Sequence, residues 1–487
     1  MSKIIIQNCN MCELDIPLKY AQELYNEFAI RHPNAFYLRT RQRGMQNWDG
    51  KIHYITKTGQ FKIGLLPRVY DRCIEMGIKP KVVDMRQPLP KVSKVVTKIG
   101  KYQLRPEQEK AVRSVINNRV GDIPFQIGVL DLTVNFGKTL IMTSLYLSYK
   151  KQLKTLLITN DSDWLNQARE EFKQYLPGED ITFVQGKVLN WSNFTIGMVQ
   201  SISRNMRFYQ QELSKIDMVL VDEADQGGSK QYQNVITRLF NTRIRIGLSG
   251  TIYMSKLAKD KVKNMNLECF FGEVIAEFKL KDSIKKGYST KTVVKMVPGK
   301  PWYGNWESDC ISYKEIYDDS ITNCYTAWLM AYNRLLWNLN QGRYPALVVC
   351  KHIAHCENLY KFFKKKLGDA YNIAHVHVNT PSKLRQQIMK DFREGKIDIL
   401  VSTTIIARGK NFPKLRYLLN AASMLSNEKT IQFLGRLVRT DSSKKKAYVD
   451  DLMYPGNYLF RHARARKRYY QVEKLKVILV KRPKHKL

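Results

Sequence analysis

No stretch of the 487-residue sequence stays apolar for the roughly 18–20 residues that a membrane-spanning helix needs, and the opening MSKIIIQNCNMCELD is too short and too acidic for a secretory signal. The chain is therefore expected inside the cell. Cysteine is sparse: Cys9, Cys12, Cys73, Cys269, Cys310, Cys324, Cys350 and Cys356 are scattered rather than gathered into a framework, so reduced thiols are expected. Cys9 and Cys12 have the spacing of half a zinc site but no second pair follows. Cys350, His352, His355 and Cys356 gather where a strand should enter a helix, with Cys350 expected to be buried. Neither group is expected to hold zinc. No repeat of short period is present. The scarcest commodity is negative charge, with 43 acidic residues against 81 Lys and Arg and a formal net charge of +38. The 44% hydrophobic and 11% aromatic content is that of a folded chain, so the excess charge points to a polyanionic partner. Nucleic acid fits better than a membrane surface, for which no amphipathic or lipidated anchor is found.

Length suggests about three domains. Residues 1–99 mix an apolar start, a helical period over Leu18 to Ile30 and short strands at Lys51 to Ile55 and Phe61 to Leu65, the pattern of a small α+β domain. The lysine- and proline-bearing LPKVSKVVTKIGK reads as a connection. Over residues 100–290 apolar runs at Gln126 to Leu132, Thr155 to Thr159, Thr195 to Val199, Met218 to Val221 and Ile244 to Leu248 alternate with helical periods, as in a parallel sheet. Residues 291–455 repeat the alternation with Ala346 to Cys350, Ala374 to Val378, Ile397 to Ser402 and Leu415 to Ala421. Residues 456–487 read as a basic C-terminal tail. The expected class is α/β, with two tandem parallel-sheet lobes behind a small N-terminal domain.

The strand QIGVLDL runs through Thr133-Val134-Asn135-Phe136-Gly137-Lys138-Thr139 into a helical period. Strand, loop, helix is the context in which backbone N–H groups meet phosphates, a lysine reaches the β and γ oxygens and a hydroxyl binds magnesium. Leu132 stands where a glycine usually opens such a loop. A second strand ends in Asp222-Glu223-Ala224-Asp225, placing one carboxylate to hold magnesium (Asp222, with Thr139) and one to activate water (Glu223). Farther on, residues 426–439 read as one helix with Gln432, Arg436 and Arg439 at i, i+4 and i+7, a face suited to arginine fingers, and Leu434, Leu437 and Val438 on the core side.

Taken in order, LRPEQ at Leu104 to Gln108, the Gly137-Lys138-Thr139 loop, ITND, GMVQS, VDEAD, LSGT at Leu248 to Thr251, VVCKH, VSTTIIARGKNFP and QFLGRLVR resemble superfamily 2 helicases from Tyr102 to about Asp451. The resemblance implies two RecA-like lobes, ATP and Mg2+ between them and a nucleic-acid strand across their top. It implies that Gln108 reads the adenine, that Gly137, Lys138, Thr139 and Gly409 hold ATP, and that Ser249 and Thr251 couple hydrolysis to lobe movement. Gln200, Lys351, Thr403 and Arg408 would face the strand. Ser249-Gly250-Thr251 and QFLGRLVR differ from the SAT and HRxGRxxR blocks of DEAD-box RNA helicases and resemble the DNA-directed branch of UvsW-like, RecG and XPB-type proteins. In the UvsW-like group the resemblance extends to Asn47-Trp48-Asp49-Gly50-Lys51, to GLLPRV and FFGEVI, and to the leucine-opened loop. Branch migration, fork regression and R-loop removal on forked, junction, single- and double-stranded DNA and RNA–DNA hybrids are the activities implied. So are recombination proteins of the same phage as partners and the host bacterial cytoplasm as the setting.

Between Arg31 and Arg68 eight positive residues face the single acid Asp49. That density marks Arg39, Arg41, Arg43 and Lys51 as phosphate contacts, with Trp48 as a base-stacking candidate beside a turn-packing alternative. A chain starting near Ile99 is expected to keep both lobes and some ATPase activity. The alternatives are an RNA helicase and a passive nucleic-acid-binding protein with a decayed ATPase site. Retention of Lys138, Thr139, Asp222, Glu223, Arg436 and Arg439 argues against decay.

Overall fold

The computed structural model describes residues 2–41, 45–133, 135–149, 152–160, 162–188, 191–250, 252, 258–299, 312–407, 412–424 and 427–480. It divides into two compact units, Met1–Phe278 and Lys279–Leu487. Among the described residues no helix is long and apolar enough to cross a membrane.

Unit 1 opens with a small sheet of β1 (Lys3–Ile6), β2 (Met11–Asp15), β3 (Gln60–Lys62) and β4 (Lys81–Asp84) in the order β3-β2-β1-β4. A short hairpin of Ala29–Arg31 with Lys51–His53 flanks helix α1 (Ala35–Arg41). The larger sheet contains β5 (Ile127–Leu132), β6 (Thr155–Thr159), β7 (Ile181–Val184), β8 (Phe194–Met198), β9 (Met218–Asp222), β10 (Ile244–Ser249) and β11 (Val274–Phe278). All seven are parallel, in the order β7-β8-β6-β9-β10-β5-β11. Strands β5, β6, β9 and β10 are buried along their whole length, which is why they read as unbroken apolar runs. Helices α2 (Pro106–Ile116), α3 (Lys138–Ser148) and α4 (Ala258–Phe271) complete the parts that matter for the site.

The N-terminal sheet is not a separate bead. One continuous core runs from Ile4, Ile6 and Leu65 to Ile127, Val219 and Phe271. A Cβ at Gly64 would lie 2.0 Å from Glu268 O, so backbone meets backbone there and only glycine fits. Arg245 on β10 is fully buried and donates to Cys9 O at 2.7 Å and Asn10 Oδ1 at 3.0 Å, while Asn10 Nδ2 returns a bond to Thr237 O. Burial pushes the Arg245 pKa down to about 10, which leaves it charged at neutral pH. Asp84 is gripped by Arg86 and Arg243, and Arg68 by Glu268. Removing either partner of a buried charged contact such as Asp84 with Arg86 and Arg243 typically costs about 3–5 kcal/mol, whereas the half-exposed Arg68 is worth less. A chain starting near Ile99 would strip the partners from Arg243 and Arg245 and open the core, which weighs against the expectation that such a chain keeps both lobes and some ATPase activity.

Unit 2 has β12 (Lys291–Pro298), β13 (Ala346–Val349), β14 (Ile373–Val376), β15 (Ile399–Ser402), β16 (Tyr417–Asn420), β17 (Lys446–Met453) and β18 (Lys476–Leu479), again all parallel, in the order β14-β15-β13-β16-β17-β12-β18. Counted from its first strand, each lobe arranges its seven strands in the same sequence. Helices α5 (Ile353–Leu367), α6 (Asn427–Leu437) and α7 (Asn457–Val472) pack in this unit. The basic C-terminal segment is built into the lobe as far as residue 480 rather than hanging from it. Strand β18 pairs with β12, Arg466 is wholly buried against Asp451 at 2.7 Å, and Tyr470 donates to the same carboxylate. A buried arginine needs such a partner, so this part of the charge run is structural.

Candidate nucleotide and nucleic-acid site

At the C-terminal end of β5 the chain turns through Asn135 (φ +65°) and Gly137 (φ +83°) into α3. Side chains are rare in that left-handed region, and a Cβ at Gly137 would come within 2.5 Å of Gln108 Nε2. No side chain caps α3 and no acid lies in its first turn, so its N-terminus keeps the partial positive charge that favours an anion. Lys138 and Thr139 are its first two residues. The loop is held from behind by α2: the Gln108 amide accepts from Arg105 N at 2.8 Å and donates to Phe136 O at 2.7 Å. Arg105 donates to the same carbonyl and stacks over the Phe136 ring. Gln108 thus braces the phosphate loop. Arg105, inside the LRPEQ block, was not singled out from sequence.

Strand β10 lies between β5 and β9, with Ser249 level with Asp131 and Leu248 level with Asp222. At a strand spacing of about 4.8 Å, the β5 and β9 loops open about 10 Å apart on one edge. Asp222 ends β9 almost buried, and Glu223 follows at φ +53°. A non-glycine residue held there costs on the order of 1–3 kcal/mol, a strain that recurs at functional turns. Ser249 donates to Asp225 Oδ1 at 2.9 Å, joining the DEAD and SGT segments directly. Gly250 approaches the phosphate loop from the other side: a Cβ there would sit 2.9 Å from Leu132 O and 3.3 Å from Thr133 Cα. That close approach accounts for glycine at the middle of LSGT. Gln200 donates to Asn160 O, and Asn160 to Gln226 Oε1, so the GMVQS and ITND blocks are tied to the residue after Asp225. Asp225, Asn160 and Gln226 are links that spacing alone does not reveal. Thr251 lies outside the described residues.

In unit 2, Phe433, Leu434, Leu437 and Val438 are buried while Arg436 is partly exposed. The helix stops at Leu437, two residues short of Arg439, so the i+7 relation expected for Arg439 is not helical. The chain there is pinned instead, because Thr290 donates to Val438 O and Arg439 O and Lys444 donates to Leu437 O. Burial pushes the Lys444 pKa down to about 8. The side chain of Gln432, and Arg408 and Gly409 entirely, lie outside the described residues. Thr403 is buried at the end of β15. Lys351 follows β13 with its ammonium 4.0 Å from the Tyr313 ring centroid. Beside it, His355 shares a 3.0 Å hydrogen bond with Tyr317 Oη, and Cys350 and Cys356 are buried.

On the N-terminal domain Arg39, Arg41 and Lys51 are exposed, and Arg43 lies outside the described residues. Trp48 is partly buried, donates Nε1 to Lys51 O at 2.9 Å and sets its ring edge-on to His32.

Two family models match the chain: "Type III restriction enzyme, res subunit" over residues 101–254 and "Helicase conserved C-terminal domain" over residues 329–441. The chain is similar to "Putative helicase 22" of a Sulfolobus islandicus filamentous virus, 21% identical over 72% of this chain and 64% of that one. It spans less than two thirds of the length of the curated relatives it matches. Among solved structures, bacteriophage T4 UvsW aligns over 98% of both chains at 20% identity with a TM-score of 0.46. Saccharomyces cerevisiae Dbp5 bound to RNA and ADP BeF3 aligns over 78% of this chain and 90% of its own at 15% identity with a TM-score of 0.53. The two family matches together cover more than half of the sequence, one in each parallel-sheet lobe, and the chain belongs to the superfamily 2 helicases.

Proposed function

We propose that the chain is a nucleic-acid-stimulated ATPase that works as a helicase or translocase on branched DNA, in branch migration, fork regression and R-loop removal. The observation that carries the ATPase half is the shared edge of the first lobe. There Gly137, Lys138 and Thr139 open α3 with one strand, β10, between them and Asp222 and Glu223, and the uncapped helix suits a triphosphate. Hard oxygen donors at Asp222 and Thr139 suit magnesium, which when bound would neutralise charge on the β and γ oxygens. Lys138 would clamp those oxygens, Glu223 would orient and deprotonate the attacking water, and Arg436 and Arg439 would stabilise transition-state charge. The preference for DNA over RNA rests on the SGT and QFLGRLVR blocks and on the basic N-terminal domain.

The test is ATP hydrolysis by the full chain with single-stranded, duplex, forked and four-way DNA and with the matching RNAs. Forked and four-way DNA should stimulate most. Equal or stronger stimulation by RNA would replace this reading with an RNA helicase, and no stimulation by any nucleic acid would leave a passive binder.

A further inference from the structure

Helix α1 does little for the core. Of Ala35–Arg41 only Ala35 is buried, whereas Phe36 is 80% and Tyr37 54% exposed. A phenyl ring left in water forgoes the gain of burial, so an exposed pair on a helix with its own scaffold calls for an occupant. The scaffold is firm at the helix base: His32 N donates to Gly50 O at 2.8 Å, and Gly50, at φ +78°, leaves room for Ala35 where a Cβ would come within 3.1 Å. The helix carries Arg39 and Arg41 and no acid, and the Arg41 guanidinium lies 4.9 Å from the Tyr37 ring centroid. The nearby acid, Asp49, already accepts from Lys51 N and pairs with His53. Trp48, the aromatic that composition suggests first, has its N–H and ring edge engaged within the domain. Among the described residues of the N-terminal domain, Phe36 and Tyr37 are the aromatic rings more than half exposed, and both stand beside arginines. Flat apolar faces flanked by cations match one chemistry in particular, an unstacked nucleobase with its phosphates on either side.

We propose that Phe36 and Tyr37, which adjacent helical positions turn about 100° apart, each offer a stacking face to the unpaired bases where duplex gives way to single strand, with Arg39 and Arg41 holding the adjoining phosphates. This rests on the reading that the N-terminal domain binds nucleic acid and adds to it the structural feature recognised, a discontinuity rather than a duplex.

The experiment uses the full chain without nucleotide, so its outcome does not depend on ATPase or unwinding activity. Wild type, Phe36→Ala, Tyr37→Ala and the double variant are titrated against a duplex with a single-stranded arm carrying 2-aminopurine at the first unpaired position, and against a blunt duplex of equal length. Melting curves verify that each variant is folded, and Phe36→Tyr and Tyr37→Phe should restore binding. The platform predicts a fluorescence change on wild-type binding that the double variant loses, and a loss of junction affinity of about five- to a hundredfold per ring with little change on blunt duplex. Equal losses on both DNAs, or none on either, would overturn it; so would retained DNA binding in a double variant that loses only capture of a protein partner. A wild type that passes this test yet shows no DNA-stimulated hydrolysis would refute the proposed activity and leave the platform standing.

Discussion

Single residues already separate binding from chemistry. Lys138→Ala should abolish stimulated hydrolysis by removing the phosphate clamp, whereas Glu223→Gln should still bind ATP and fail to turn it over. Arg436→Ala and Arg439→Ala should lower kcat by about 10³- to 10⁵-fold with a smaller effect on ATP affinity. Steady-state kinetics beside equilibrium binding checks all four, and wild-type turnover in the first two would refute the site. Gly250→Ala tests a close approach that no motif comparison exposes. Its methyl would press on the Leu132 and Thr133 backbone, which has nowhere to yield without moving the phosphate loop. Overpacking of this kind costs about 1–3 kcal/mol of stability, and because the strain falls on the phosphate loop, nucleotide affinity should fall as well. An unchanged affinity would mean that the loop shifts freely. The positions of Lys138 and Thr139 at the start of α3 and of Asp222 and Glu223 at the end of β9 were legible from the strand–loop–helix pattern around them. Asp225, Asn160 and Arg105 were not, because their partners sit on other strands and helices.

Most of the large-sheet strands that sequence reading found are buried along their length, such as β5, β6 and β9, where the apolar run is continuous. It missed β1, β2 and β4 of the small sheet and β7, β11, β12 and β17 of the large ones. Strand β17 shows why: Asp450 and Asp451 interrupt its run, yet both are buried, the first held by Arg334 and Tyr417 and the second by Arg466, Asn420 and Tyr470. A carboxylate reads as surface until its partners, supplied by distant elements, are in view. Buried histidines on α5 and α7 make the second lobe sensitive to acid. Burial pushes His355 down to about 3 and His462 down to about 4. Both values are depressed on folding, so the linked stability is fully present above the unfolded pKa of about 6.5 and is lost as pH falls toward 3–4. Between pH 6.5 and 5 each histidine should cost on the order of 2 kcal/mol. Thermal melts from pH 7.5 to 5 should fall accordingly, and His355→Gln, which keeps a partner for Tyr317, should flatten the slope. A parallel decline in the variant would assign the acid sensitivity elsewhere.

At the scale of the molecule, the N-terminal domain and the first lobe are one body. A chain beginning near Ile99 should be recovered aggregated or with a much lower melting temperature, because Arg243 and Arg245 would be left charged in an opened core; a soluble truncation melting like the full chain would contradict this. Charge reversal at Arg39 and Arg41 is therefore the better probe of DNA binding, and it should flatten the salt dependence by about 0.9 in log–log slope for each phosphate no longer neutralised. The bond from Arg245 to Cys9 also imposes an order of events during synthesis. The partners are 236 residues apart, and at roughly 5–20 residues per second a ribosome needs about ten to fifty seconds to travel between them. Gly64 likewise waits for the helix that covers it, since Glu268 and Cys269 lie some two hundred residues farther along the chain, so the small sheet is finished only when a segment made much later arrives.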